Sequence, residues 1–504
     1  MAEPLRLRPA LALAAASGLL FVPGFPPLGW WPCTLVAFAP LYVAIEGATP
    51  RRAFLLGWTS LMISSTLVFS WLVATVRDFG GLPTAAGVAV LLALSAYHGL
   101  RLGVATWLAV RAAARGWPAA PAFALAILTC ELTFPLIFPW FIASAADSAL
   151  PLLQSAELGG PLLVDLVLLA PSLALGECLR AWRGMRRPSV AVLTTGLLLP
   201  VCAAVWGNFR MEQVRERFPT AQEVRIGLVQ PNTAIGEEPP LASLQASTRA
   251  LAAQGAELVV WPEAAVRTSY NLITYPTTVP EQVTGTLGVP TLFGVRMWRL
   301  GDVEGAPRVR HNSAMLSGED GSILGRYDKH KLLAFGEYTP FSDVFPALAS
   351  LLSHAGQFTP GEGPQVLEWA GHRIAALICY EDILPAHVNA QVRAMDPDLL
   401  LNITNDAWFG DSAAPWIHLG EARLRSIEHR RFLVRSTNSG PSGVVDATGA
   451  TTQMGALFKA EDRIVSARFL RARTLYERVG DTPWWVVAGL MWAAAFLHRC
   501  RRGG

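Results

Sequence analysis

Hydrophobic positions follow two regimes along the chain. Up to about residue 207 they form long unbroken runs with arginines clustered in the gaps. A membrane-crossing helix needs about 20 apolar residues. The runs predict spans over Leu7–Val22, Leu28–Ile45, Phe54–Val76, Thr84–Val110, Ala119–Ala143, Pro161–Leu179 and Ser189–Trp206, with an eighth over Pro483–Leu497. The first run follows Arg6 and Arg8 and so has the outline of a signal peptide. Six further spans come after it, so it reads as a retained anchor. Between residues 208 and 482 the pattern changes. Short β-rich runs appear at Val224–Val229, Leu258–Trp261, Thr291–Val295, Arg373–Ile378, Leu399–Ile403, Phe432–Ser436, Val444–Asp446 and Ile464–Phe469. Helix-period stretches over Leu241–Ala253, His387–Ala394 and Trp416–Arg431 fall between some of them. That alternation predicts a layered α/β domain with one large core. The expected division is 1–207 for a seven-span membrane domain, 208–482 for the α/β domain, and 483–504 for a last span and short tail.

Basic residues orient the spans. Arg6 and Arg8, Arg51 and Arg52, Arg111 and Arg115, the group Arg180, Arg183, Arg186 and Arg187, and Arg499, Arg501 and Arg502 occupy every second loop. The alternate loops are nearly free of basic residues, apart from Arg77 beside Asp78. The N-terminus and the tail are therefore expected on the cytoplasmic side and the α/β segment outside. The chain of 504 residues has 41 basic and 38 acidic side chains, a net charge of +3. So small an excess argues against a nucleic-acid partner. Glu131 falls inside the fifth span, where an acid is a functional group or a helix–helix hydrogen-bond partner.

Cysteine placement brings in the chemistry. Cys33, Cys130, Cys178, Cys202 and Cys500 lie in or beside spans, and Cys379 stands alone in the α/β segment. A free thiol in an exported domain is either buried packing or a group in use. The run Arg373–Ile378 ends on Cys379-Tyr380-Glu381-Asp382, which would present the thiol at the carboxyl edge of a sheet, where α/β folds keep their sites. On this pattern alone both readings stay open. Glu257-Leu-Val-Val-Trp-Pro-Glu263 likewise delivers a carboxylate to a strand end, a place suited to a general base. The chain has only three lysines, Lys329, Lys331 and Lys459, amid a strong arginine bias. A lysine kept in Tyr327-Asp-Lys329 points to a compact ammonium beside a developing oxyanion, for which a guanidinium does not substitute.

Taken together, Trp-Pro-Glu263, Tyr327-Asp-Lys329 and Cys379-Tyr380-Glu381 resemble the Glu, Lys and Cys motifs of the carbon–nitrogen hydrolase (nitrilase) superfamily. Supporting segments are Phe335-Gly-Glu337-Tyr-Thr-Pro340, Asn402-Ile-Thr-Asn405-Asp406-Ala-Trp408-Phe409-Gly410 and Arg435-Ser-Thr-Asn438-Ser-Gly440. With spans on both sides, the whole chain resembles the branch of that superfamily that completes bacterial lipoprotein maturation. The resemblance implies a multi-pass α-helical membrane domain plus an α/β nitrilase-like domain, an α-β-β-α sandwich. It implies the bacterial inner membrane, with the catalytic domain on the periplasmic face. By position, Glu263 would be the general base, Lys329 the stabiliser of the tetrahedral intermediate and Cys379 the nucleophile. Glu337, Tyr380, Glu381, Trp408 and Phe409 would support the site or bind substrate. The implied reaction moves an acyl chain from a phospholipid, through a Cys379 thioester, to the α-amino group of a diacylglyceryl apolipoprotein. No cofactor is implied, and the nine histidines lack metal-ligand spacing. A membrane-tethered amidase with water as acceptor is the alternative, and a non-catalytic scaffold a third. One departure is visible: the loop Gln230–Pro240 lacks the tryptophan usual in the family. The apolar segment Phe341–Leu352 is expected to dip into the membrane as a lid.

Overall fold

The computed structural model describes residues 4–78, 80–184, 187–234, 237–285, 287–301, 308–340 and 357–496. The expected lid and the tail arginines lie outside the described residues. The chain divides into two compact units, Met1–Gln213 with Arg478–Gly504, and Val214–Glu477.

In the first unit each of the eight apolar runs carries a helix. Leu7–Gly24, Thr84–Ala114, Ala156–Trp182 and Val190–Thr220 are long and apolar enough to cross a membrane. Pro50–Val68 and Leu72–Asp78 pass together but are bent by 53°, so the expected third span is a broken one. Trp31–Ala44, Ala119–Thr133 and Thr482–Phe496 are apolar and shorter. The fifth helix ends ten residues before the expected Ala143, because Phe134 is extended ahead of Pro135, as the residue before a proline favours. Glu131 is buried, with its Oε1 3.9 Å from Arg101, and Arg101 in turn donates to the Trp140 carbonyl at 2.9 Å.

The second unit is built on two sheets. In the described residues its strands are β1 (Glu223–Gln230), β2 (Leu258–Val260), β3 (Val266–Asn271), β4 (Thr291–Arg299), β5 (Val309–Ser317), β6 (Ile323–Asp328), β7 (Leu367–Trp369), β8 (His372–Ile378), β9 (Leu399–Thr404), β10 (Phe432–Thr437), β11 (Gly443–Val445), β12 (Thr451–Thr452) and β13 (Glu461–Arg468). One sheet has the order β13-β1-β2-β4-β5-β6 with β3 beside β4, and the other β12-β11-β10-β9-β8-β7. The inner faces meet in one buried cluster. It includes Ile226, Leu258 and Leu292 from the first sheet and Ile374, Leu401 and Val434 from the second. Helix α1 (Leu241–Ala253) covers the outer face of the first sheet with Leu244 and Leu251. Helices α2 (Pro385–Met395) and α3 (Ala414–His429) cover the second with Val388, Val392, Leu419 and Ala422. The layers are thus helix, sheet, sheet, helix. β8, β9 and β10 run parallel in the middle of their sheet. Covered on both faces, they read as nearly continuous apolar runs.

Candidate active site

Glu263, Lys329 and Cys379 each lie just past the carboxyl end of a strand, β2, β6 and β8 respectively. At Cys379 the chain leaves β8 and turns at once into a single 3-10 turn, Cys379–Ile383. The turn forces Cys379 to φ +56°, an uncommon conformation for a residue with a Cβ. Such backbone costs of order 1 kcal/mol and persists where surroundings fix it. Here Asn402 on β9 donates to the Cys379 carbonyl at 2.9 Å, and Glu381 accepts the Ile378 N–H at 2.8 Å. The thiol is half-buried. Burial, and next the Glu263 carboxylate, push its pKa far above the usual cysteine value, with Lys329 pulling the other way. At rest the group is a neutral thiol.

Lys329 supplies the cation. Its side chain is 1% exposed, and its Nζ lies 2.9 Å from Glu337 Oε2 and 3.5 Å from Glu263 Oε1. Burial alone would pull this ammonium down. The carboxylates of Glu337, Glu263 and Glu381 outweigh it and hold the pKa well above the usual lysine value. Asn312 on β5 ties the two acids together, its Nδ2 donating to Glu263 Oε1 at 2.8 Å and Glu337 Oε1 at 2.9 Å. The Asn405 N–H donates to Glu263 Oε2 at 3.1 Å, and the Leu333 N–H to Glu337 Oε2 at 2.8 Å. The Glu263 loop sits directly on β4. A Cβ at Gly294 would come within 2.4 Å of the Ala264 nitrogen and 2.7 Å of the Glu263 Cα.

Glu381 faces the backbone of two loops. It is fully buried, and its Oε1 accepts from the Tyr327 hydroxyl and the His330 and Lys331 N–H groups, each at 2.9 Å. Its carboxylate thus fastens the Lys329 loop to the Cys379 turn. Burial raises its pKa to about 7, against the pull of Lys329 and of its backbone donors. Glu381→Gln turns one acceptor into an NH₂ facing donors. We expect it to lower turnover at least about tenfold, since charge-assisted bonds contribute roughly 1.5–3 kcal/mol each. A fall in the thermal midpoint, measured alongside turnover, checks it. Tyr380 donates to the Leu332 carbonyl at 2.8 Å and lies under the ammonium, with Lys329 Nζ 5.4 Å from its ring centroid. Trp408 is exposed on the turn after β9, and Phe409 packs edge-on against His418.

Behind this shell is a buried ionic cluster. His418 on α3 meets Asp382 Oδ1 at 2.8 Å through Nε2 and Asp406 Oδ1 at 3.0 Å through Nδ1. Arg435 on β10 pairs with Asp382 and reaches Asp406 at 3.6 Å. Two carboxylate acceptors suit a doubly protonated imidazole. Burial lowers the His418 pKa, but Asp382 and Asp406 outweigh it and raise the pKa from 6.5 to about 9. A raised histidine contributes stability that is full below the unfolded pKa and lost as pH climbs through the folded one. The α/β unit should therefore lose thermal midpoint between about pH 6.5 and 9, the window set by this shift. His418→Gln should lower the midpoint at pH 6 and flatten the slope; an unchanged slope sinks the assignment.

The expected site residues are therefore gathered at one edge of the unit, with Glu381 behind the others. Sequence reasoning missed Asn312, which bridges both acids, and named Asp382, Asp406 and Arg435 only within supporting segments without joining them to His418. The one signal was a charge inside an otherwise apolar strand run, Arg435 in Phe-Leu-Val-Arg-Ser-Thr. The loop without tryptophan is held by Asn438, which accepts from the Thr233 N–H at 2.9 Å and donates to the Asn405 side chain at 3.1 Å. It therefore reaches Glu263 through Asn405.

Two family descriptions match the chain. Residues 225–460 match the carbon–nitrogen hydrolase family, and residues 17–174 the apolipoprotein N-acyltransferase N-terminal domain. Among curated relatives, an apolipoprotein N-acyltransferase of Geobacter metallireducens is 30% identical, the match covering 97% of this chain and 95% of that one. One of Azotobacter vinelandii is 32% identical over the same shares, 97% and 95%. Among solved structures, an amidase of the nitrilase superfamily from Nesterenkonia is 21% identical, covering 52% of this chain and 96% of its own, with a TM-score of 0.37. Similarity running through nearly the whole length, apolar helices and α/β unit alike, makes the chain a membrane-bound acyltransferase of the apolipoprotein N-acyltransferase family.

Proposed function

We propose that this protein transfers an acyl chain from a phospholipid, through a thioester on Cys379, to the α-amino group of the N-terminal diacylglyceryl-cysteine of an apolipoprotein. The observation that carries the reading is the Lys329 ammonium, buried between Glu263 and Glu337 at the strand edge that ends in Cys379. A neutral thiol, a base and a fixed cation are the set that acyl transfer needs.

Glu263 takes the thiol proton as Sγ attacks the ester carbonyl carbon. The C–S bond forms, and negative charge on the carbonyl oxygen is met by Lys329. Collapse breaks the ester C–O bond, and the proton on Glu263 passes to the leaving glycerol oxygen, releasing a lysophospholipid. In the second half the lipoprotein amine attacks the thioester and gives its proton to Glu263. The C–N bond forms, the C–S bond breaks, and the proton returns to sulfur. Glu337 acts by holding Lys329, and Tyr380 and Glu381 by holding the two loops.

Both substrates carry acyl chains. Phe335, Tyr338 and Trp408, on loops that follow Lys329 and Asn405, are 49%, 39% and 47% exposed, which supports a site that meets an apolar chain. In this reading residues 1–207 and 483–504 lie in the bacterial inner membrane and residues 208–482 work on its periplasmic face, an orientation the arginine pattern supports.

The test incubates the purified chain with phospholipid and looks by mass spectrometry for an acyl adduct on Cys379 that hydroxylamine removes. A diacylglyceryl peptide is then added. Amide product supports the reading, free fatty acid alone supports the amidase, and absence of any adduct overturns both.

A further inference from the structure

The reaction steps leave a cationic cavity beside the site unused. On β4 and β5, Arg296 is in register with Asn312 and Trp298 with Arg310. On β3, Ser269 is in register with Arg296. Alternate residues of a strand share a face. Arg296, Trp298 and Arg310 therefore lie on the face of the sheet from which Asn312 reaches Glu263 and Glu337. On that face a cavity of about 260 Å³ is lined by Ser269, Arg296, Trp298, Arg308, Arg310 and Phe358, among others. Its wall is tied to the reacting groups: the Phe358 N–H donates to the Glu337 carbonyl at 3.0 Å and the Thr359 N–H to the Arg310 carbonyl at 2.6 Å.

Three guanidinium groups at one cavity require a physical reason. Arg308 lies over the Trp298 ring, 4.9 Å from its centroid. Among the described residues no ion pair ties down Arg296, Arg308 or Arg310. Arg296 is half-buried. Burial, then Arg267, hold its pKa below the usual arginine value, with Glu263 among the groups opposing them. The cluster repels itself and stands within electrostatic reach of the reacting carboxylate. Planar guanidinium forks match the paired oxygens of a phosphate. The volume is below the roughly 300 Å³ at which pockets for drug-sized ligands begin, a size for a polar headgroup and not for acyl chains.

We propose that this cavity binds the phosphodiester of the lipid donor, so that the glycerol ester beside it is presented to Cys379. The proposal rests on the reading of a phospholipid as acyl donor. The cavity then acts as a register stop: it fixes the headgroup, and the ester attached to the same glycerol falls at the thiol.

The test uses the full chain in neutral detergent and the exposed pair Arg308→Gln with Arg310→Gln. Binding is measured by calorimetry in a Cys379→Ala background with dihexanoyl phosphatidylglycerol, dihexanoylglycerol and inorganic phosphate. The phospholipid should bind at least tenfold more weakly to the arginine double variant, and its binding to the parent should weaken with added salt. The uncharged dihexanoylglycerol should show no comparable loss. Inorganic phosphate binding as tightly as the lipid would mean a site for free phosphate and overturns the proposal. Equal phospholipid binding by variant and parent also overturns it.

A second readout separates this proposal from the reading it rests on. With Cys379 intact, the ratio of acylation rates from phospholipid and from a phosphate-free p-nitrophenyl ester should fall at least tenfold in the double variant. Arginine-dependent lipid binding with no acyl group ever reaching Cys379 removes the acyl-transfer reading and leaves the cavity standing. Acylation that ignores the arginines removes the cavity's role and leaves the acyl-transfer reading standing.

Discussion

Cys379→Ser abolishes acyl transfer, with turnover reduced at least about a thousandfold and no hydroxylamine-sensitive adduct. The Cys379 thiol is neutral at rest, because burial and the Glu263 carboxylate both oppose its ionisation. Attack and proton transfer to Glu263 are therefore linked, and the nucleophile must be one that a carboxylate can deprotonate as it reacts. Sulfur meets that condition, being intrinsically strong and weakly basic, while a serine hydroxyl does not. Serine is close in size and can adopt the same φ of +56°, so folding is preserved and the loss is chemical. Mass spectrometry of the chain after exposure to phospholipid, with a thermal melt as control, checks it. Turnover within tenfold of the native chain would remove Cys379 from the reaction.

Lys329→Arg is the second large effect. It keeps the charge, yet we expect a loss of at least about a hundredfold in the acylation rate. Removing one fixed donor at a developing oxyanion costs about 2.7–4 kcal/mol in well-measured cases. The physical reason lies in the enclosure. The ammonium is 1% exposed and fitted between Glu337 at 2.9 Å and Glu263 at 3.5 Å. A planar guanidinium is larger, and overpacking such a site costs roughly 1–3 kcal/mol. It would also pair with an acid through two N–H groups, drawing Glu263 out of its role as base. Lys329→Met goes further. Two acids then share Asn312 with no cation between them, an arrangement that costs about 3–5 kcal/mol when a buried pair is broken. The ordering expected is native, then arginine, then methionine in thermal midpoint, with both variants slow. Single-turnover acylation of Cys379 measures the chemical part, and an arginine variant reacting at more than a tenth of the native rate sinks the oxyanion role.

How much of this was legible in the sequence depends on where burial shows. The doubly covered strands β8, β9 and β10 were read nearly to the residue, because a segment buried all round must be apolar all along, whereas the apolar runs of the helical unit located each helix but not its ends. Helix α1 was read over its whole length, Leu241–Ala253. β5 and β6 went unread. Their sequences mix His311, Asn312, Ser313 and Asp328 among apolar residues, and the polar side chains face one another or the site: Ser313 donates to Asp328 at 2.6 Å. Such strands carry neither a clean alternation nor an apolar run. The same mixture hid Asn312, whose role depends on two acids 49 and 25 residues away. The reach of the third span was misjudged for a different reason. Its apolar composition continues through Phe69-Ser70-Trp71 while the backbone turns there, and composition records no bend.

The near absence of lysine gives the enclosure of Lys329 a practical consequence. Lys331 and Lys459 are exposed and Lys329 is sealed. Amine-directed coupling, whether to a dye, a bead or a sensor surface, therefore has two side-chain handles on the folded chain, neither of them the ammonium on which the proposed chemistry depends.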